Sequence, residues 1–178
     1  MLSKEELRYK LKIKRKYFQG IRREYADLAI RDDFIAAFKD EESFFIYNSF
    51  STEADTSGII KELVDMGKRV YIPRVEGENI VPVPYGGKLA VGAFGIGEPE
   101  GQAYTGDIDV TIVPLLAINN SGFRTGYGKG FYDRYLKTAK TKKVGLGYSF
   151  QIEDFKEDGW DEPLDMFLCE KGFYYYGK

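Results

Sequence analysis

Residues 43–73 read SFFIYNSFSTEADTSGIIKELVDMGKRVYIP, and this stretch decides the fold class. Residues 43–50 form a nearly continuous apolar run, which suits a strand covered on both faces. Residues 57–66 carry Ile59, Ile60, Leu63 and Val64 near one face of a helix. Gly67 ends that helix, because glycine enters the left-handed backbone region without a Cβ clash. Residues 70–72 then read as a short strand stopped by Pro73. Strand, helix and strand in that order predict a parallel crossover.

The same reasoning extends outward in both directions. Ser3 is placed to cap a first helix, with Glu6 completing a capping box. Leu7, Leu11, Phe18 and Ile21 give it a broken apolar line, beside a stripe of Lys4, Arg8, Lys12 and Lys16. A second helix is expected over 24–38, burying Tyr25, Leu28, Ile35 and Phe38. Downstream, residues 80–85 read as an edge strand, since Pro82 and Pro84 lack ladder donors. A glycine-rich loop follows, then a buried strand over 110–118, with Pro114 marking its end or a bulge. Residues 122–130 form a glycine-rich turn before a helix over 131–140. A strand over 144–148, a short irregular segment after Phe150 and a hairpin of 164–168 with 172–176 complete the chain. The expected architecture is a three-layer α/β/α domain around a mostly parallel sheet. It is read as one domain over residues 1–178, with the basic N-terminal helix packed near the active site.

Composition narrows the function. The 178 residues are 43% apolar and 16% aromatic, with a formal net charge of -2, which excludes wholesale disorder. The sole cysteine, Cys169, excludes an intramolecular disulfide framework and reads as a small buried hydrophobe. There is no histidine, so His-based triads, His zinc sites and imidazole proton shuttles are all absent. No run of about 18 apolar residues marks a membrane span. The first residues lack the apolar core of a secretory signal, so a cytoplasmic protein is expected. Charge is uneven: residues 1–23 hold nine Lys/Arg against two Asp/Glu, on an acidic remainder. That basic segment has three readings: an external arm for nucleic acid or membrane, a helix folded back to bind an anionic ligand, or a solvated face.

The peptide GFRTGYGKGFYDR, residues 122–134, carries the chemistry. Gly126, Gly128 and Gly130 permit close backbone approach to a ligand, and their N–H groups are candidates for an anion nest. Arg124 and Lys129 add positive charge, and Asp133 is a hard oxygen ligand suited to magnesium. The spacing is neither a Walker A loop nor a dinucleotide fingerprint.

This peptide resembles the signature of the 5-formyltetrahydrofolate cyclo-ligase family: an Arg followed by a Gly-aromatic-Gly-x-Gly-aromatic-Tyr-Asp run. Further matches occur in order: Lys4 and Arg8 as paired N-terminal cations, residues 47–56 (YNSFSTEADT), residues 94–99 (FGIGEP) and the strand over 109–117. Asn119 stands where that family usually has Asp, Thr125 where it usually has Leu, and Gly97 where a larger residue is common. The resemblance implies ATP-dependent closure of 5-formyltetrahydrofolate to 5,10-methenyltetrahydrofolate, with release of ADP and phosphate. The formyl oxygen is phosphorylated and N10 attacks the formyl carbon, so neither a protein nucleophile nor a histidine is needed.

The implied catalytic residues are Glu53, Arg124 and Lys129. ATP falls to Lys4, Arg8, Arg124, Gly126, Tyr127, Gly128, Lys129, Gly130, Phe131, Tyr132 and Asp133. The folate falls to Phe50, Glu53, Ile96, Tyr132 and Trp160, and Mg²⁺ to Asp133 and Asp161. No nucleic acid or membrane partner is implied, and a monomer is expected. Plainer roles stand beside these: Glu53 as a helix-start carboxylate, Tyr132 and Trp160 as packing aromatics. Two other functions stay open from the residues alone, a nucleic-acid binder using the basic helix and a sugar-phosphate enzyme on a related scaffold.

Overall fold

In a computed structural model, which describes residues 2–86, 89–91 and 97–176, helices α1 (Lys4–Tyr17) and α2 (Ile21–Phe38) precede the crossover. The crossover comprises β1 (Ser43–Ile46), α3 (Ser57–Asp65) and β2 (Arg69–Glu76). Next come β3 (Asn79–Pro84), the small hairpin β4 (Leu89–Val91) and β5 (Gly97–Pro99), and β6 (Val110–Pro114). The pair β7 (Ala117–Ile118) and β8 (Arg124–Thr125) leads into α4 (Phe131–Leu136). The chain ends with β9 (Lys142–Leu146), a 3-10 turn (Ser149–Gln151), β10 (Met166–Cys169) and β11 (Gly172–Tyr175).

The main sheet has the order β11-β10-β9-β6-β1-β2-β3. Its inner pairs are parallel, and the two edge strands, β3 and β11, pair antiparallel. Strand alternation separates the layers. Phe44 and Ile46 pack with Ile30 and Phe34 of α2 and Ile59, Ile60 and Leu63 of α3. Between them, Phe45 faces the other way, toward Phe131, Tyr132 and Tyr135 of α4.

Several expectations need correction: α1 ends at Tyr17, so the exposed Ile21 opens α2 instead of extending the α1 apolar line, and α4 ends at Leu136. Pro73 does not stop β2, which runs to Glu76. Pro73 pairs with Pro82, and Tyr71 with Pro84. Tyr85 N donates to Val70 O, and Tyr104 N reaches Pro82 O from outside the pair. The prolines therefore fall at positions whose N–H groups would point away from the β2–β3 ladder, and the missing donors cost that ladder nothing. The buried stripe of α2 is Ala26, Ile30, Phe34 and Phe38, whereas Tyr25 and Leu28 are exposed. The helix begins three residues earlier than expected, and its apolar residues are spread around it. The stripe that packs is the one in strict steps of four, which lies on a single face.

The capping box of α1 is present, with Ser3 N donating to Glu6 Oε2 and Glu6 N to Ser3 Oγ. Leu7 and Leu11 are buried against Ala117 and Phe155, each contributing about 2 kcal/mol by area removed from water. Lys10 and Lys14 pair with Glu153 at 2.7 and 3.3 Å. Burial alone would push the Glu153 carboxyl up, but the two lysines outweigh it and hold it below its usual value. The basic helix is thus folded back onto the acidic body. Among the described residues, no helix is long and apolar enough to cross a membrane.

Candidate active site

A cavity of about 370 Å³ opens beyond the carboxyl ends of β1 and β6. From β1 the chain leads outward through α3 to β2 on one side, and from β6 it leads through α4 to β9 on the other. This is the switch point at which open α/β sheets leave a crevice. Tyr47, Asn48, Phe50 and Glu53 line it from beyond β1, Pro73, Val75 and Ile80 from β2–β3, and Gly97 and Glu98 from β5. Pro114, Arg124, Gly126, Tyr127 and Lys129–Asp133 complete the wall.

Local chemistry presents Glu53. Thr56 Oγ1 donates to Tyr47 O at 2.7 Å and accepts from Ser49 N, while Thr56 N donates back to Ser49 Oγ. These bonds close residues 47–56 into a loop. At its tip, Ser51 has φ 51°, a left-handed conformation that costs a non-glycine residue about 1–2 kcal/mol. Glu53 is not a helix-start carboxylate of α3. Its Oε2 accepts from Phe50 N at 2.8 Å and its Oε1 from the Tyr127 hydroxyl at 2.9 Å. Burial pushes its carboxyl above the usual value, and those donors together with the Arg15 charge oppose the shift.

The opposite wall is cationic. Arg124 is buried and donates through Nη1 to Asp133 Oδ1 at 2.7 Å, while its Nε is buried without a partner. A buried guanidinium N–H without a partner is uncommon and calls for an explanation, and the residue that carries it lines the cavity. Gly128 and Gly130 have φ 90° and 69°, which confine a side-chain-bearing residue but suit glycine. The Arg8 guanidinium approaches Gly128, and its Nε donates to Gly126 O at 2.9 Å. Burial, then the Glu53 charge, push the Tyr127 hydroxyl up to about 12, so it stays a protonated donor at neutral pH.

The expected residues are only partly brought together. Phe50, Glu53, Arg124, Gly126, Tyr127, Lys129, Gly130, Phe131, Tyr132 and Asp133 share the cavity, with Arg8 against its glycine loop. Lys4 and Asp161 do not line it: Lys4 Nζ sits 2.6 Å from both Asp158 and Asp161. Burial works against the charge on Lys4, but the two carboxylates outweigh it and hold its pKa above the usual value. Trp160 is 65% exposed and outside the cavity wall. Ile96 lies outside the described residues. Arg15, Asn48 and Glu98 were not expected. Glu98 accepts from Val75 N at 3.2 Å, and its place in the FGIGEP match is the signal that would have found it.

The donor set bears on magnesium. Among the described residues, no group of three His, Cys, Asp or Glu forms a metal cage. Asp133 uses Oδ1 for Arg124 and for Glu162 N. Asp161 uses Oδ2 for Lys4 and Asp158 N. Mg²⁺ commonly takes one or two carboxylates and completes its shell with waters and substrate phosphates. Each carboxylate already uses one oxygen for a cation, Asp133 for Arg124 and Asp161 for Lys4, but Asp133 lines the cavity and fits that pattern, whereas Asp161 lies outside the cavity wall.

Comparison with known proteins fixes the lineage, since the sequence model of the 5-formyltetrahydrofolate cyclo-ligase family matches residues 1–170. The chain belongs to the 5-formyltetrahydrofolate cyclo-ligase family. It is 48% identical over 65 residues to the 5-formyltetrahydrofolate cyclo-ligase of Mycoplasma genitalium, covering 35% of this chain and 39% of that protein. With the Escherichia coli (strain K12) cyclo-ligase it shares 34% over 132 residues, 67% of this chain and 72% of that protein. The chain thus spans about two-fifths of the length of the first curated relatives it matches. A solved structure of the Aquifex aeolicus 5,10-methenyltetrahydrofolate synthetase superposes with a TM-score of 0.87 at 34% identity, over 99% of this chain and 94% of that one.

Two departures from the cyclo-ligase pattern have structural consequences. Asn119 accepts from Ser121 N and Phe123 N, and its Nδ2 donates to Phe155 O at 3.1 Å. An ionised Asp has no donor for that last bond. Thr125, in place of Leu, buries a hydroxyl without a partner.

Proposed function

We propose that the protein catalyses ATP-dependent cyclisation of 5-formyltetrahydrofolate to 5,10-methenyltetrahydrofolate, releasing ADP and phosphate. The observation that carries this reading is one cavity with a buried carboxylate, Glu53, on one wall and a buried, partly unpartnered guanidinium, Arg124, on the other. The two demand different ligand chemistry, a hydrogen-bond donor ring and an anion.

The formyl oxygen attacks the γ-phosphorus, ADP departs, and the oxygen becomes part of a phosphate leaving group. N10 then bonds to the formyl carbon, the carbon–oxygen bond breaks toward phosphate, and N10 gives up its proton. Closure is intramolecular, so the protein's task is alignment and charge neutralisation. Arg124 and Lys129 take the phosphate oxygens, with the backbone around Gly126, Gly128 and Gly130 following the chain of phosphates. Arg8, and Lys4 once drawn from its carboxylates, add cations from α1. Asp133 is the residue that would hold Mg²⁺, which when bound supplies positive charge to the phosphates. Glu53 has a free lone pair on each oxygen for N–H groups of the reduced ring. Phe50 and Tyr132 flank that ring, and Tyr127 and Phe131 border the nucleotide. Trp160, outside the cavity wall, and Ile96 are assigned to the folate by the family resemblance alone.

An oxygen-tracing experiment tests the mechanism. With ¹⁸O in the formyl group, the label should appear in inorganic phosphate and in no other product. Label recovered in water instead would exclude phosphorylation of the formyl oxygen.

A further inference from the structure

We propose that Arg15 is a positioning residue for Glu53: it sets the direction of the Tyr127 hydroxyl and thereby holds the Glu53 carboxylate ionised in the cavity wall. Arg15 belongs to the α1 cationic run, yet it is only 4% exposed. Its Nε donates to Thr52 Oγ1 at 3.1 Å, Nη1 to Leu115 O at 3.4 Å and Nη2 to Tyr127 Oη at 2.8 Å. One side chain thus ties the turn before Glu53, the end of β6 and the glycine loop together.

The direction of each bond follows from donor counting. A guanidinium has donors and no acceptor. Tyr127 Oη must therefore accept from Arg15, and its one proton is directed along its other contact, to Glu53 Oε1 at 2.9 Å. Phe50 N supplies the second oxygen at 2.8 Å. A carboxylate accepts both donors and keeps a lone pair on each oxygen for a ligand, whereas a carboxylic acid would turn its own proton toward one of those donors.

The other groups facing Glu53 do not substitute for this. Tyr47 from the end of β1 gives its hydroxyl to Ala54 O. Burial, chiefly, pushes the hydroxyls of Tyr47 and of Tyr132 on α4 upward, so both stay neutral. Arg23 of α2 and the Tyr148 hydroxyl reach the Glu53 backbone carbonyl, at 2.9 and 3.4 Å. Burial pushes the Glu53 carboxyl up, and the Phe50 N–H, then the Tyr127 hydroxyl that Arg15 orients, then the Arg15 charge itself oppose it.

The inference rests on the cyclo-ligase reading for its kinetic readout, and a second readout is independent of it. The Glu53 side-chain carboxyl is titrated by ¹³C NMR in the full chain, its signal assigned by loss in Glu53→Gln. In Arg15→Met the midpoint should rise by about one pH unit, the shift typical of losing a nearby opposite charge. In Tyr127→Phe, which removes the donor on Glu53 Oε1 but keeps Arg15 and the ring, it should rise as well. The acid limb of kcat/KM for the folate should move the same way, with the KM for ATP changing less than that for folate. An unmoved Glu53 midpoint in folded Arg15→Met overturns the proposal. Should Arg15→Met not fold, an unmoved midpoint in Tyr127→Phe overturns it instead. A wild-type protein that forms no methenyl product defeats the functional reading and leaves the titration to decide this one.

Discussion

Glu53 is held where burial works against its charge, and that has opposite consequences for stability and for chemistry. A carboxyl whose folded pKa is raised binds its proton more tightly folded than unfolded. Its contribution to stability therefore falls as pH rises from the usual 4.5 through the raised value. Glu53→Gln removes that penalty and also one charge-assisted bond, so its unfolding free energy should stay within about 1 kcal/mol of wild type. The balance should move in favour of the variant as pH rises through that window, read by calorimetry at several pH values. Folate ring closure should drop by about 100-fold or more, the scale of a lost alignment, while ATP affinity is retained. A fall in stability with normal closure would make Glu53 part of the scaffold. Thr125 offers the reverse experiment. Its buried hydroxyl has no partner, so Thr125→Val should stabilise the protein by about 1 kcal/mol. A lower denaturation midpoint for that variant would show that the hydroxyl is bonded.

At the scale of elements, α1 is the piece that joins binding to folding. Leu11 is fully buried in the cluster with Leu7, Ala117 and Phe155. Leu11→Ala should cost about 2–5 kcal/mol. ATP affinity should fall with it, because the same helix carries Arg8 and Arg15 to the glycine loop. Unfolding and nucleotide titration on one preparation check both; reduced stability with unchanged affinity would detach α1 from the nucleotide wall. Elements with strong local signals were legible in the sequence: the capping box at Ser3, the apolar face of α3 closed by Gly67, and the β1–α3–β2 crossover. Those governed by tertiary pairing were not. Whether Pro73 ends a strand depends on which side of the ladder its missing donor faces. Which stripe of α2 is buried depends on the sheet beneath it. Arg15 sits between Lys14 and Lys16, and composition gives its charge but not that it is buried and donates to the Tyr127 hydroxyl. The Glu53 region and the glycine signature were readable as motifs; the bond between them, across 74 residues of chain, was not.

At the scale of the molecule, the cavity gathers its walls from the loop after β1, the β2–β3 hairpin, the glycine loop and α4, with α1 laid against that loop. Those parts come from distant stretches of sequence, so the site exists only in the folded chain, and ligands that bind it should stabilise the fold as a whole. The measurement that tests the central claim most directly is the appearance of the methenyltetrahydrofolate chromophore. Purified full-length protein is given 5-formyltetrahydrofolate and Mg-ATP, with each omitted in turn. The account predicts product only when folate and ATP are both present, with one ADP formed per ring closed. A folded protein that binds ATP yet forms no methenyl product, or that forms it equally well without ATP, would contradict it.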